Sequence, residues 1–269
     1  METVRHLVSI KQIQKQYITG DLPVLVVCSD KEAYICKYMP STNSAFKLVC
    51  ELVGSTMAKA WGIESPAIAF VHIEGAHWAG IHTPHNLTAP AWGYRKLDNI
   101  VDITPTTCNQ VKIANSLLLQ LLKIALFDFW IANEDRTCNN ANLLYDIVAN
   151  KFVSIDYGGI FNTSTFEYPL SQLTMTDTIL YAELFRHLVK EKSNEDVVSM
   201  ANQLKGYYDA CIANCEHEIQ PILEVIPVEW NIPRLVVESK LKQLINQEWA
   251  DAVWLNFLEC LKDNLEEQI

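Results

Sequence analysis

Three polar residues in the second half of this 269-residue chain carry the strongest chemical signal: Asp135, Asn140 and Asp156. Asp135 stands five positions before Asn140 in a loop crowded with Asn133, Asn139 and Asn142, directly after an apolar run. Turn hydrogen bonds alone explain Asp and Asn poorly at this density, although both residues cap helices and shape turns. A carboxylate at Asp135 could accept or orient a hydroxyl proton. The amide oxygen of Asn140 and the carboxylate of Asp156 would offer hard oxygens to Mg²⁺, an ion that takes few protein ligands and fills its shell from phosphates and water. Gly158, two residues after Asp156, lets the backbone turn away from such a metal. The ordered set points to phosphoryl transfer.

The Asp-x-x-x-x-Asn interval matches kinase catalytic loops, and the Asp-x-Gly at 156–158 matches their metal-binding loop. That chemistry needs a cation for the phosphates. Lys37 supplies one, in the β-prone run YICKY at 34–38. Its expected partner is an acidic residue on the following helix, and Glu51 is the only acidic residue in 44–62. Apolar neighbours on either side turn Glu51 toward the protein interior.

These residues require elements to hold them. Runs of β-formers at 22–28 and 33–38, joined by a polar turn, predict a hairpin. Apolar residues at Phe46, Val49, Cys50, Val53, Met57 and Trp61 predict a helix over 44–61 that ends at Gly62. A further strand is expected at 66–73, and 74–109 reads as irregular, with Pro84, Pro90 and Pro105. The run 110–132 predicts a buried helix, and 142–146 and 151–155 predict two short strands. Beyond about residue 176 the sequence reads as helices, with breaks near Pro221, Pro227 and Pro233. The expected architecture is α+β, a two-lobed protein-kinase-like fold. Residues 1–100 form a β-rich N-lobe with one helix, and 101–269 a larger helical C-lobe.

Composition narrows the function. With 49% apolar and 20% charged residues, the chain has an ordinary globular mix. A formal charge of −11 argues against a nucleic-acid groove, which needs clustered Lys and Arg. The most apolar run is interrupted by Gln120, Lys123 and Asp128, so no membrane span is expected. The N-terminus lacks a signal-peptide pattern, and the eight scattered cysteines include no CxxC, which suits reduced thiols in the cytoplasm. Cys211 and Cys215, one helical turn apart, read as core. His77, His82 and His85 could ligate zinc, but their spacing matches no metal motif. Ser41, Thr42 and Ser44 follow Lys37 and are candidate autophosphorylation positions.

Together, Lys37, Glu51 within CELVGSTMAKAWGI (50–63), NEDRTCNNANLL (133–144) and IDYG (155–158) resemble the HipA-like kinases, in their smaller group built of the kinase domain alone. The resemblance runs over 14–161, with an echo at IPVEW (226–230). It implies ATP- and Mg²⁺-dependent phosphorylation of a Ser or Thr hydroxyl. Asp135 would be the base, Asn140 and Asp156 the metal ligands, Lys37 the phosphate contact and Glu51 its orienter. Asn142 would support the loop, and Arg136 would anchor it or contact substrate. TGDLP (19–23) aligns with the phosphate-covering loop, so Gly20 and Asp21 join the nucleotide site. Gly20 alone replaces the usual Gly-rich run. The resemblance also implies a toxin or regulator paired with an antitoxin-like protein. The acceptor stays open between a protein and a small molecule or lipid, and a pseudokinase that binds ATP without catalysis is the other alternative.

Overall fold

The computed structural model describes residues 4–41, 44–81, 84 and 86–267; Thr42, His82 and His85 lie outside the described residues. Strands β1 (Arg5–Val8), β2 (Lys15–Gln16), β3 (Val24–Val27), β4 (Ala33–Lys37), β5 (Ile68–His72) and β6 (Ala91–Arg95) form one sheet. Its order is β1-β5-β6-β4-β3-β2. Only β1 and β5 run parallel. The expected hairpin is β3–β4, turned by Lys31 at φ 68°.

Helix α1 (Ser44–Ala60) follows β4 and packs on β6. Val49, Cys50, Val53 and Met57 are all fully buried on it, as their spacing requires. Gly62 ends the helix at φ 57°, a left-handed cap that glycine adopts without a Cβ clash.

The irregular reading of 74–109 is corrected by two strands. β6 lies between β4 and β5, hydrogen-bonded on both edges, and β7 (Ile100–Asp102) pairs with a second sheet. The sequence AWGYR hid β6 because glycine weakens a strand signal. Here Gly93 serves close packing: a Cβ would sit 2.8 Å from Val71 Cγ2. The short strands β1 and β2 were also missed. In β1 only Leu7 is buried, so little hydrophobic alternation marks it.

The second sheet is β7-β8-β9, with β8 (Leu143–Asp146) and β9 (Lys151–Ser154) as the expected hairpin. Helix α2 (Asn115–Ile131) starts five residues later than expected and is buried over most of its surface. Among the described residues beyond 182, six α-helices follow: Glu183–Val189, Asn194–Asn202, Lys205–Glu216, Ile219–Val225, Arg234–Leu244 and Gln247–Glu267. Pro221 breaks nothing. It sits in the first turn of its helix, where a missing N–H costs no hydrogen bond, whereas Pro227 and Pro233 do lie between helices.

Of the eight thiols, seven are buried and Cys138 is half-buried; all are free. His77 is committed to Ser9, with Nδ1 2.7 Å from the hydroxyl. Among the described residues no helix is long and apolar enough to cross a membrane.

Candidate active site

Lys37 ends β4 with its side chain 11% exposed. Its ammonium lies 2.5 Å from Glu51 Oε1, 2.5 Å from Asp156 Oδ1 and 3.5 Å from Asp21 Oδ2. The expected Lys37–Glu51 pair is therefore formed, across strand and helix. Glu51 is fully buried in the middle of α1. Its other oxygen accepts the Tyr94 hydroxyl at 2.6 Å and the Tyr157 N–H at 2.9 Å. Ser55 Oγ lies 2.8 Å from the same tyrosine oxygen. Tyr94, from the unforeseen strand β6, is thus part of the support behind Lys37.

Burial raises the Glu51 carboxyl, and Asp156 repulsion adds to it, against the pull of Lys37; the result is a pKa of about 7. For Asp156, burial also pushes upward, but the Lys37 ammonium outweighs it and the net shift is downward. For Lys37 itself, burial disfavours the charge while Glu51 and Asp156 more than compensate, so it stays protonated. A pH effect on activity follows. Below about pH 7 Glu51 gains a proton and releases its charge hold on Lys37, so turnover should fall on the acid side. Glu51→Gln should lower the plateau and abolish that limb in a kcat/KM profile.

The opposite wall begins at the C-terminus of α2. Ala132 adopts φ 51° and turns the chain out of the helix. Asp128, in the last turn of α2, takes up Arg136, with Nε 2.8 Å from Oδ2. The two charges are close as an ion pair, but that N–H is not aligned on the oxygen as a hydrogen bond. Arg136 also donates to Ala141 O at 3.1 Å, Asn142 O at 2.5 Å and Ser154 Oγ at 2.7 Å. It is wholly buried, so of its two expected roles it anchors the loop and does not reach a substrate. Burial raises the Asp128 carboxyl to about 6 despite Arg136 and Asn133.

Fixed in this way, the 133–142 loop presents Asp135. Asn142 Nδ2 donates to Asp135 Oδ2 at 2.9 Å, and Asn140 Nδ2 to the Asp135 carbonyl at 3.1 Å. Gly159 packs so closely that a Cβ would lie 2.4 Å from the Asp135 Cβ. Asp156 holds φ 59°, a left-handed conformation that costs a non-glycine residue roughly 1 kcal/mol or more. Beyond it, Phe161 to Ser164 form one left-handed turn. Glu134 grips this turn through the Asn162 amide and the Thr163 hydroxyl, both at 2.8 Å.

A cavity of 410 Å³ opens where the walls meet, lined by Gly20, Asp21, Lys37, Asp135, Asn140, Asn142 and Asp156. Of the residues expected as base, phosphate contacts and metal ligands, Glu51 alone stands outside the lining, behind Lys37, and the anchoring Arg136 is buried away from it. A second cavity of 610 Å³ shares Thr19, Pro23, Lys37 and Asp156 with the first. Its other walls include Ile35, Leu144, Ile155 and the chain at 94–100. The second cavity is the less polar of the two. Hard oxygens from Asp156, Asn140 and Asn142 on the same cavity fit Mg²⁺. Lys47 lies on this cavity as well. No sequence signal marked it, because a lysine on an exposed helix face is ordinary.

The fold is that of a kinase, and a solved kinase structure shares it. The crystal structure of the Helicobacter pylori proinflammatory kinase CtkA matches with a TM-score of 0.53 at 9% identity, covering 99% of both chains. Two structures of CtTel1 match at 13% identity. The open conformation gives a TM-score of 0.25 over 92% of this chain and 11% of that one. The FAT and kinase domain gives 0.27 over 96% and 22%. No curated protein matches the sequence significantly. The family model for HipA-like kinases matches residues 10–249, and the chain belongs to that family.

Proposed function

We propose that the protein is an ATP- and Mg²⁺-dependent kinase that transfers the γ-phosphate to a Ser or Thr hydroxyl. The observation that carries this reading is the convergence of Lys37, Asp135 and Asp156 on one cavity that continues into a second, less polar one. The base and sugar occupy the larger cavity, against the chain at 94–100, and the phosphates the smaller. Lys37 binds phosphate oxygens, held in place by Glu51, while the backbone at Gly20 and Asp21 covers them. Asp135 accepts the acceptor's hydroxyl proton, its carboxylate oriented by Asn142. Mg²⁺, held by Asp156 and an asparagine amide, would neutralise charge on the transferring group. Residues 1–100 and 101–269 serve as the two lobes of this cleft. Cytoplasmic residence and an antitoxin-like partner belong to the same reading, on family grounds. Calorimetric titration with ATP tests it: binding should require Mg²⁺ and fail in Lys37→Ala, and absence of ATP binding by the wild type contradicts it.

Asn140 is the sequence-based choice for the amide ligand, but a specific observation favours Asn142. Its carbonyl accepts the Ile155 N–H at 3.1 Å, which places it beside Asp156, and its side chain is half-buried whereas Asn140 is exposed. Each amide spends its Nδ2 on Asp135 and leaves Oδ1 for a metal. Asn142→Ala should therefore raise the Mg²⁺ concentration for half-maximal activity more than Asn140→Ala does. The reverse order returns the role to Asn140.

A further inference from the structure

Resting on the kinase reading, we propose that Lys47 is a second phosphate-binding residue, and that the Asp21 carboxylate stands in the phosphate position until nucleotide arrives. Lys47 projects from the first turn of α1 onto the phosphate cavity. Its ammonium lies 2.7 Å from Asp21 Oδ1, while the other oxygen of Asp21 lies 3.5 Å from Lys37. One carboxylate thus bridges two lysines from different elements, as a phosphate oxyanion would. An incoming phosphate must take the place of one of the carboxylates already facing the two lysines. Lys37 and Lys47 face three carboxylates, Asp21, Glu51 and Asp156. Glu51 is fixed by Tyr94 and Tyr157, and Asp156 is tethered by the Gly158 N–H. Asp21 lies on the loop between β2 and β3, and both of its carboxylate oxygens face lysines.

That loop is also under local strain. Leu22 has φ 46°, in a turn closed by the Leu22 N–H to Thr19 O at 2.9 Å. A leucine is disfavoured in this left-handed region, where its Cβ crowds the backbone. The loop has a single glycine, Gly20, so its backbone offers phosphate little of the close cradle seen in Gly-rich loops. A second lysine supplies charge where the backbone does not.

Binding measurements decide the matter, using ATP, ADP and adenosine on the full chain with Mg²⁺. Lys47→Ala should weaken ATP about tenfold, the scale of one partly exposed charge-assisted contact, and leave adenosine unchanged. Asp21→Asn should tighten ATP several-fold, on the order of one removed competing ion pair. ATP affinity unchanged in Lys47→Ala overturns the proposal, as does ATP weakened by Asp21→Asn, which would make Asp21 a ligand. Wild-type protein that binds no ATP contradicts the kinase reading and this inference together. Wild-type binding with no effect of Lys47→Ala contradicts the inference alone.

Discussion

Asp135→Asn should abolish most phosphoryl transfer, lowering kcat about 10³-fold, within the range that a positioned general base contributes. ATP affinity should stay at the wild-type level, because Asp135 makes no contact with Lys37 and its hydrogen bonds lie within its own loop. The substitution keeps the shape of the side chain and an oxygen for the Asn142 amide, so the loop should hold its position. Single-turnover transfer measured beside ATP titration separates the two effects. A variant that loses binding and chemistry together would mean that Asp135 organises the nucleotide site.

The largest effect on stability is expected at Arg136, although it touches no substrate. Its guanidinium ties Asp128 of α2, two loop carbonyls and Ser154 of β9. Arg136→Ala leaves the Asp128 carboxyl buried beside Asn133 without its cation, takes the guanidinium donor from Ala141 O, and leaves Asn142 O with the Ile155 N–H. Breaking one partner of a buried pair costs about 3–5 kcal/mol, a large share of the stability of an ordinary domain. Denaturant unfolding should show that loss. Asp128→Asn with Arg136 intact should cost less, since the amide oxygen can still accept. A double Asp128→Leu, Arg136→Met variant should recover part of the loss in stability yet remain inactive, because the loop lacks its guanidinium anchor and Asp135 is no longer fixed. A split of this kind between stability and activity would identify positioning as the role of the pair.

The parts of the fold legible in the sequence were those with strong local periodicity. The 3.6-residue pattern of α1, its glycine stop and the two hairpins all lie close to their expected positions. Strand β6 was hidden because its identity depends on neighbours. Ala91, Trp92, Gly93 and Tyr94 are all buried, so no alternation marks them, and Gly93 is required by Val71 across the sheet. Without that strand, nothing in the sequence directs the Tyr94 hydroxyl to Glu51. The polar residues of the site were legible because carboxylates and amides at fixed intervals have few structural explanations. Lys47 and Arg136 show the opposite limits. A surface lysine is too common to signal anything, and only three-dimensional packing shows that Arg136 turns inward rather than toward the cleft.

Transfer of labelled γ-phosphate from ATP tests the central claim most directly. The full chain, incubated with Mg²⁺ alone and with proteins of its native source, should place label on a Ser or Thr hydroxyl that mass spectrometry can locate. The label should be absent with Asp135→Asn or Asp156→Asn. Label on a small molecule or lipid instead would keep the chemistry and change the acceptor. Wild-type protein that binds ATP yet transfers no label to any acceptor, with the Asp135 variant indistinguishable from it, would contradict the account.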